Sequence, residues 1–368
     1  MIPSLQTLNW RSFLARPRLP SAPPQALATL ARQPILITGA GGSIGSALAL
    51  RLAALAPPVL VLLESSESNL YALQRDLASS PSSITPILGS AADPALLDHI
   101  FATHAPSLVF QAAAFKHVPL LEDHPLAAIA NNIFATETLT RAAAAHHARV
   151  LLLSTDKAVQ PASVMGATKR LAEHIVLAAG GTVLRLGNVL ASRDSVAEIF
   201  ADQVACGGPI TVTDPAARRY FLTLDEAVDL LFAAALAQPS TLLAPVLPAT
   251  HFIADLAHFI AHQLAPGRNI PIEFTHPRPG DKETEQLWSP NDATHPAGPD
   301  PSLAALVSIQ SARLAPSQLA AGLADLRTAL NAGDLSAALT HLRALVPDYT
   351  PSPSVLDLAR QTSPQVSL

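Results

Sequence analysis

The sequence predicts an α/β fold: a doubly wound parallel sheet with a smaller mixed α/β C-terminal part. Three observations carry this. Short apolar runs of strand length alternate with helical stretches through residues 34–190, the pattern of parallel strands joined by crossover helices. The first run, PILIT at 34–38, leads directly into a turn with glycine at 39, 42 and 45. The second run, 59–63, closes on an acid, Glu64.

Each element follows from local composition. PILIT has no polar residue before its threonine, as a strand covered on both faces requires. After Gly45 an Ala- and Leu-rich stretch predicts a helix to residue 56, where Pro57 and Pro58 stop it. Residues 69–79 read as helix and 84–88 as a third strand. A fourth strand, 108–112, precedes FKHVP at 115–119. Residues 126–147 predict one long helix containing Asn131 and Asn132, and 149–154 and 182–186 are the fifth and sixth strands. Beyond 190 the alternation loosens. Helices are expected at 194–206, 224–237 and 252–264, and a helical pair at about 315–346. The run SPNDATHPAGPDPS, 289–302, reads as a loop or disordered insert.

The expected organisation is an N-terminal arm (1–33), a dinucleotide-binding domain (34–190), a substrate-binding part (191–350) with some strands returning to the main sheet, and a tail (351–368). The arm carries Arg11, Arg16, Arg18 and Arg32, no acid, and four prolines between 17 and 24; that composition suggests loose attachment. Composition also excludes function classes. A net charge of -5 offers no basic excess for nucleic acid. A single cysteine, Cys206, rules out a disulfide framework or a cysteine-rich zinc site, and the histidines lack metal-ligand spacing. No apolar run approaches the roughly 18–20 residues of a membrane span, so a cytoplasmic location is expected.

The chemistry concentrates at 151–169, LLLSTDKAVQPASVMGATK. An apolar strand delivers Ser154, Thr155, Asp156 and Lys157 to its C-terminal end, where open α/β sheets bind ligands. Met165 and Lys169, four apart on the next helix, share one face. Taken alone, this could equally be an ordinary strand-to-helix connection with a surface ion pair. The glycine turn adds weight to a functional reading. Gly39 would allow a tight bend, Gly42 the close approach of a diphosphate, and Gly45 close helix–sheet packing, with amides such as those of Ser43 and Ile44 facing the anion. Glu64 would accept hydrogen bonds from the adenosine ribose. A carboxylate there repels a 2′-phosphate, which favours NAD over NADP. This is a Rossmann-type arrangement.

The spacing Gly-x-x-Gly-x-x-Gly resembles that of the short-chain dehydrogenase/reductase superfamily. TGAGGSIG (38–45), AAAFKHVP (112–119), STDKAVQPASVMGATKR (154–170), GNVL (187–190), GGPITVT (207–213), RYFLT (219–223) and RPGDK (278–282) occur in that order. Together they resemble the CapD-like polysaccharide biosynthesis branch, which contains UDP-N-acetylglucosamine 4,6-dehydratases. Many members carry a membrane-spanning N-terminal half. WRSFLARP, 10–17, is similar to the linker between the halves, so the chain is expected to be the soluble catalytic half alone.

The resemblance implies roles. Thr155 would bond the oxygen on sugar carbon 4, Asp156 would protonate the departing carbon 6 hydroxyl, and Lys157 would remove the carbon 5 proton. Lys169 would hold the nicotinamide ribose beside Met165. Ala112, Ala113 and Asn132 would lie against NAD. Lys116, His117, Asn188, Val189, Arg219, Arg278 and Asp281 would hold a UDP-sugar, and a homo-oligomer is implied. Met165 stands where the superfamily has its active-site tyrosine, and some CapD-like dehydratases share it. Arg193 and Asp194 replace a small glycine-containing turn. A 4- or 5-epimerase on the same scaffold, or a non-catalytic nucleotide-binding regulator, remains open at this point.

Overall fold

The computed structural model describes residues 5–80, 82–298 and 303–362. Six parallel strands, β1 (Ile35–Thr38), β2 (Leu60–Glu64), β3 (Ile84–Leu88), β4 (Leu108–Gln111), β5 (Arg149–Thr155) and β6 (Thr182–Leu186), form most of a nine-stranded sheet. The order runs β6-β5-β4-β1-β2-β3. Beyond β6 lie Leu242–Pro245, parallel to it, then Leu306–Gln310 and Ala293–Pro296, both antiparallel to their neighbours. β1 pairs with β2 on one side and β4 on the other. The strand order therefore reverses there, and the crevice beyond the ends of β1 and β4 is the place for a ligand.

The central strands are mostly apolar because both faces are covered. Ile35 and Ile37 of β1 pack with the helix Ser43–Ala53 and the helix Leu224–Ala234. Leu36, between them, packs into the cluster on the opposite face with Ile100, Phe101 and Leu139. β3 and β6 fall at the predicted residues. The predicted long helix is interrupted: Pro125–Ala128 and Ala135–Ala145 flank one widened π turn, Ile129–Phe134. The helix Pro94–His104 was not predicted, though Asp93 caps it, accepting from the Leu96 amide, and Pro94 opens it.

Two expectations are corrected. The arm is packed rather than loose: its helices Trp10–Leu14 and Pro24–Leu30 bury Trp10, Phe13, Leu14, Ala26 and Leu30. The insert contains a strand, Ala293–Pro296, on the sheet edge; residues 299–302 lie outside the described residues. The tail continues into a helix, Pro353–Thr362, burying Val355 and Ala359 against the helical pair Pro316–Asn331 and Leu335–Leu345. The tail residues 363–368 and arm residues 1–4 lie outside the described residues.

The arm's arginines meet acids two hundred positions away. Arg16 grips both oxygens of Glu226 at 2.7 and 2.8 Å. Arg18 and Arg51 share Asp229, at 2.8 and 2.7 Å. Burial pushes the Glu226 carboxyl up, but the hydrogen bonds from Arg16 and from the Leu19 and Thr223 amides outweigh it and hold the group below the usual carboxylate range. Glu226 therefore stabilises the fold above its unfolded pKa, and that contribution is lost as pH falls through the lower folded value. Arg16→Met should cost about 3 kcal/mol in urea unfolding at neutral pH, because it strands a buried carboxylate. The deficit should shrink on acidification. A negligible effect would mean that the arm is not anchored here.

Candidate active site

A cavity of about 1050 Å³ opens between the glycine turn, the end of β5 and the C-terminal part. That is at the upper limit for one small ligand, roughly 1,000 Å³, and leaves room for two.

The glycine turn is built for close approach. Gly39 has φ 64°, and a Cβ on it would lie 2.7 Å from the Ala113 backbone; a Cβ on Gly45 would meet the Gly39 carbonyl oxygen at 2.1 Å. Side chains are therefore excluded where an anion would meet the first turn of the helix Ser43–Ala53. Gly39, Gly42, Ser43, Ile44, Gly45 and Ala112 line the cavity. Ala113 packs behind Gly39 instead.

Two expected cofactor residues are engaged within the chain. Glu64 is buried and does not line the cavity; its oxygens accept from the amides of Gly41 and Ser66, both at 2.9 Å, and so brace the turn from below. Asn132 lies within the π turn. It accepts from the Phe115 amide at 2.8 Å, donates to the Phe115 carbonyl at 3.0 Å, and meets Thr168. It fixes the chain leaving β4 rather than facing the cavity.

β5 ends at Thr155, and a single tight turn, Asp156–Ala158, follows. Thr155 Oγ1 donates to Asp156 Oδ1 at 2.8 Å, and Lys157 Nζ donates to the same oxygen at 3.0 Å and to Asn188 Oδ1 at 3.1 Å. Thr155 and Lys157 face the cavity. Asp156 is fully buried behind them, and its Oδ2 has no hydrogen-bond partner among the described residues. The carboxyl group thus reaches the cavity through its two neighbours.

Ser163 caps the next helix, Val164–Ala178, accepting from the Gly166 amide at 3.1 Å. Met165 and Lys169 both line the cavity from this helix. Lys169 Nζ donates to the Leu153 carbonyl at 2.7 Å. Burial lowers its pKa to about 8, partly opposed by the charge of Glu173. One turn further on, Glu173 takes hydrogen bonds from Ser154 at 2.6 Å, from Arg185 at 2.8 and 2.7 Å, and from Arg170 at 3.0 Å. Burial alone would push this carboxyl up, but the arginines draw it down to about 2. Glu173 and Arg185 received no role from sequence; Arg185 sits inside an apolar strand pattern, which was the available signal.

The expected sugar-nucleotide residues converge on the other side of the cavity. Lys116, His117, Asn188, Val189, Arg219, Arg278 and Asp281 all line it. Arg219 donates to the carbonyls of Arg218 and Glu283 at 2.8 and 3.0 Å, and Arg278 pairs with Asp281 at 3.0 Å. Burial lowers the pKa of Lys116, against the nearby charges of Asp194 and Glu198. Burial likewise lowers that of His117, whose Nε2 lies 3.9 Å from Asp194. Among the described residues, no helix is long and apolar enough to cross a membrane and no cluster could hold a metal.

A nine-stranded, mostly parallel sheet with a glycine turn at its switch point defines a Rossmann-type protein of the short-chain dehydrogenase/reductase kind. The chain belongs to the polysaccharide biosynthesis protein family, whose model matches residues 35–303. It is 39% identical over 270 residues to the probable polysaccharide biosynthesis protein EpsC of Bacillus subtilis, covering 70% of this chain and 45% of that one. It is 36% identical over 280 residues to the capsular polysaccharide biosynthesis protein CapD of Staphylococcus aureus, covering 73% and 47%. The chain thus spans about half the length of these relatives. Among solved structures, DesIV, a dTDP-glucose 4,6-dehydratase from Streptomyces venezuelae with NAD and TYD bound, shares the fold. Its TM-score is 0.62 at 18% identity, over 69% of this chain and 87% of that one.

The buried amine makes a signed prediction. Lys169 has a folded pKa of about 8 against an ordinary 10.5. Between those values the unfolded chain binds more protons, so Lys169 makes stability rise with pH there. In urea titrations the wild type should gain on Lys169→Met between pH 7 and pH 10. The opposite trend would contradict a desolvated ammonium at this position.

Proposed function

We propose that the chain is an NAD-dependent nucleotide-sugar 4,6-dehydratase acting on UDP-N-acetylglucosamine. The observation that carries this is the junction at the end of β5. A cavity-facing hydroxyl, Thr155, and a cavity-facing amine, Lys157, meet on one oxygen of the buried Asp156. Carbon 4 epimerisation alone needs no base at carbon 5 and no acid at carbon 6, whereas elimination across carbons 5 and 6 needs both, and Lys157 and Asp156 would supply them.

The residues fit a dinucleotide. Gly39, Gly42, Gly45, Ser43, Ile44 and Ala112 would hold its diphosphate side and Lys169 its nicotinamide ribose, with Glu64 stiffening the turn. When bound, NAD would accept hydride from carbon 4 and return it to carbon 6, so no external oxidant is consumed. Thr155 would accept a hydrogen bond from the carbon 4 hydroxyl and relay its proton to Asp156 Oδ1. With carbon 4 a ketone, the carbon 5 proton becomes acidic and the Lys157 amine would remove it. Asp156 returns its proton through Thr155 or Lys157 to the carbon 6 hydroxyl, which leaves as water. Lys157 then restores a proton to carbon 5. Met165 cannot take a proton, so it shapes the nicotinamide side while Asp156 acts as the base. Lys116, Arg219 and Arg278 would meet the UDP diphosphate; arginine's planar fork suits it. The relatives' names, in polysaccharide biosynthesis, and the 4,6-dehydratase activity named for DesIV support the reading.

Turnover of UDP-N-acetylglucosamine in deuterated water tests it. The product should be lighter by one water and carry solvent deuterium at carbon 5. Asp156→Asn should slow turnover by at least about a hundredfold while leaving NAD bound. An epimer formed without loss of water would make the chain an epimerase. Bound substrate with no product would make it a non-catalytic regulator.

A further inference from the structure

The segment 191–195 leaves the strand Asn188–Val189 and crosses to the glycine turn. The Arg193 amide donates to Ser43 Oγ at 2.8 Å, its Nη1 donates to Asn69 Oδ1 at 2.7 Å, and its Nη2 donates to the Gly41 carbonyl. Lys116, on the opposite side of the cavity, donates to the Arg193 carbonyl. A guanidinium from the far half of the chain is thereby strapped over the turn that would face a dinucleotide.

The strap is costly in isolation. Ala191 and Asp194, on either side of the tip, both have φ 55° without being glycine, a strain of order 1 kcal/mol each. An exposed arginine bonded to neutral oxygens offsets little of that. Two of the guanidinium's five N–H donors are used on Gly41 and Asn69, which leaves a fork available for an anion. The acids nearby point elsewhere: Asp194 lies toward His117, and Glu198 accepts from the Asp194 amide at 2.6 Å. The exposed cation therefore faces the N-terminus of the helix Ser43–Ala53, where partial positive charge and free amides already await phosphate.

We propose that Arg193 binds the diphosphate of the dinucleotide, closing over it at the edge of the glycine turn. This rests on the reading of the cavity as a dinucleotide site. The nucleotide sugar carries a diphosphate too, but the side-chain and amide contacts of Arg193, to Gly41, Ser43 and Asn69, all belong to the glycine-turn side.

Isothermal titration of the full chain with NAD, ADP and UDP separates the possibilities. Arg193→Ala should weaken ADP and NAD by roughly ten- to a hundredfold, the range of a lost charge-assisted hydrogen bond. UDP affinity should stay within about twofold. Arg193→Lys should recover part of the loss, because it restores charge but not the fork. Unchanged ADP and NAD affinity in Arg193→Ala would overturn the proposal. A loss confined to UDP would overturn it as well, by moving the arginine to the sugar nucleotide. A wild type that binds UDP but neither ADP nor NAD would refute the dinucleotide site and this inference with it.

Discussion

The site depends on one buried carboxylate. Glu173, on the helix Val164–Ala178, is held by Arg185 of β6, by Arg170 one turn back and by Ser154 of β5. Arg185 also donates to the Leu287 carbonyl at 3.1 Å, and Arg170 to Ser311 at 2.7 Å. Five segments of chain are thus pinned to one point. Ser154 immediately precedes Thr155, and Lys169 lies one turn before Glu173, so both halves of the proposed chemistry take their positions from this cluster. Buried ion pairs seldom add net stability, because desolvation offsets their attraction. Here the ions fix the register between β5, β6 and the helix. The arginines' positive field has a second effect. Burial first, and then the charge of Arg170, lower His174 to about 4, so it stays neutral at physiological pH.

The cavity built on this base has two unlike walls. The wall beyond β1 and β4 consists of glycines and helix-end amides, suited to an anion approached by backbone. The other wall, mostly from the chain after β6, supplies Arg219, Arg278 and Asp281, with Lys116 added from the segment after β4. The catalytic candidates stand between them. Asp156 sits behind Thr155 and Lys157, so a single carboxyl group can exchange protons through either neighbour without contacting a ligand itself. The family resemblance implied an acid beside the substrate; the tight turn after β5 turns Asp156 inward.

Much of this was legible in the sequence because it depends on local pattern. β1 and β2 are runs of buried, mostly apolar residues, and the glycine spacing encodes the turn directly. What depends on distant partners was not legible. The arm reads as loose because its arginines have no acid nearby; Glu226 and Asp229, on one face of a helix two hundred residues later, supply them. Glu64 has the position of a ribose ligand, but it is also close enough to Gly41 to brace the turn. Asn132 lies in a helix pattern, yet the π turn directs its amide to Phe115. Glu173 and Arg185 looked like isolated charges in apolar elements and become intelligible only once the strands are paired.

The central claim is that the carbon 4 hydroxyl of a UDP-sugar meets Thr155 while Asp156 stays behind it. A crystal structure of the chain with NAD and UDP-N-acetylglucosamine bound is the most direct measurement. It should have the carbon 4 oxygen within about 2.6–3.2 Å of Thr155 Oγ1, Lys157 Nζ on the carbon 5 side, and Asp156 touching the sugar only through these two. A hexose ring bound with carbon 4 turned away from Thr155, or seated outside the cavity, would contradict it.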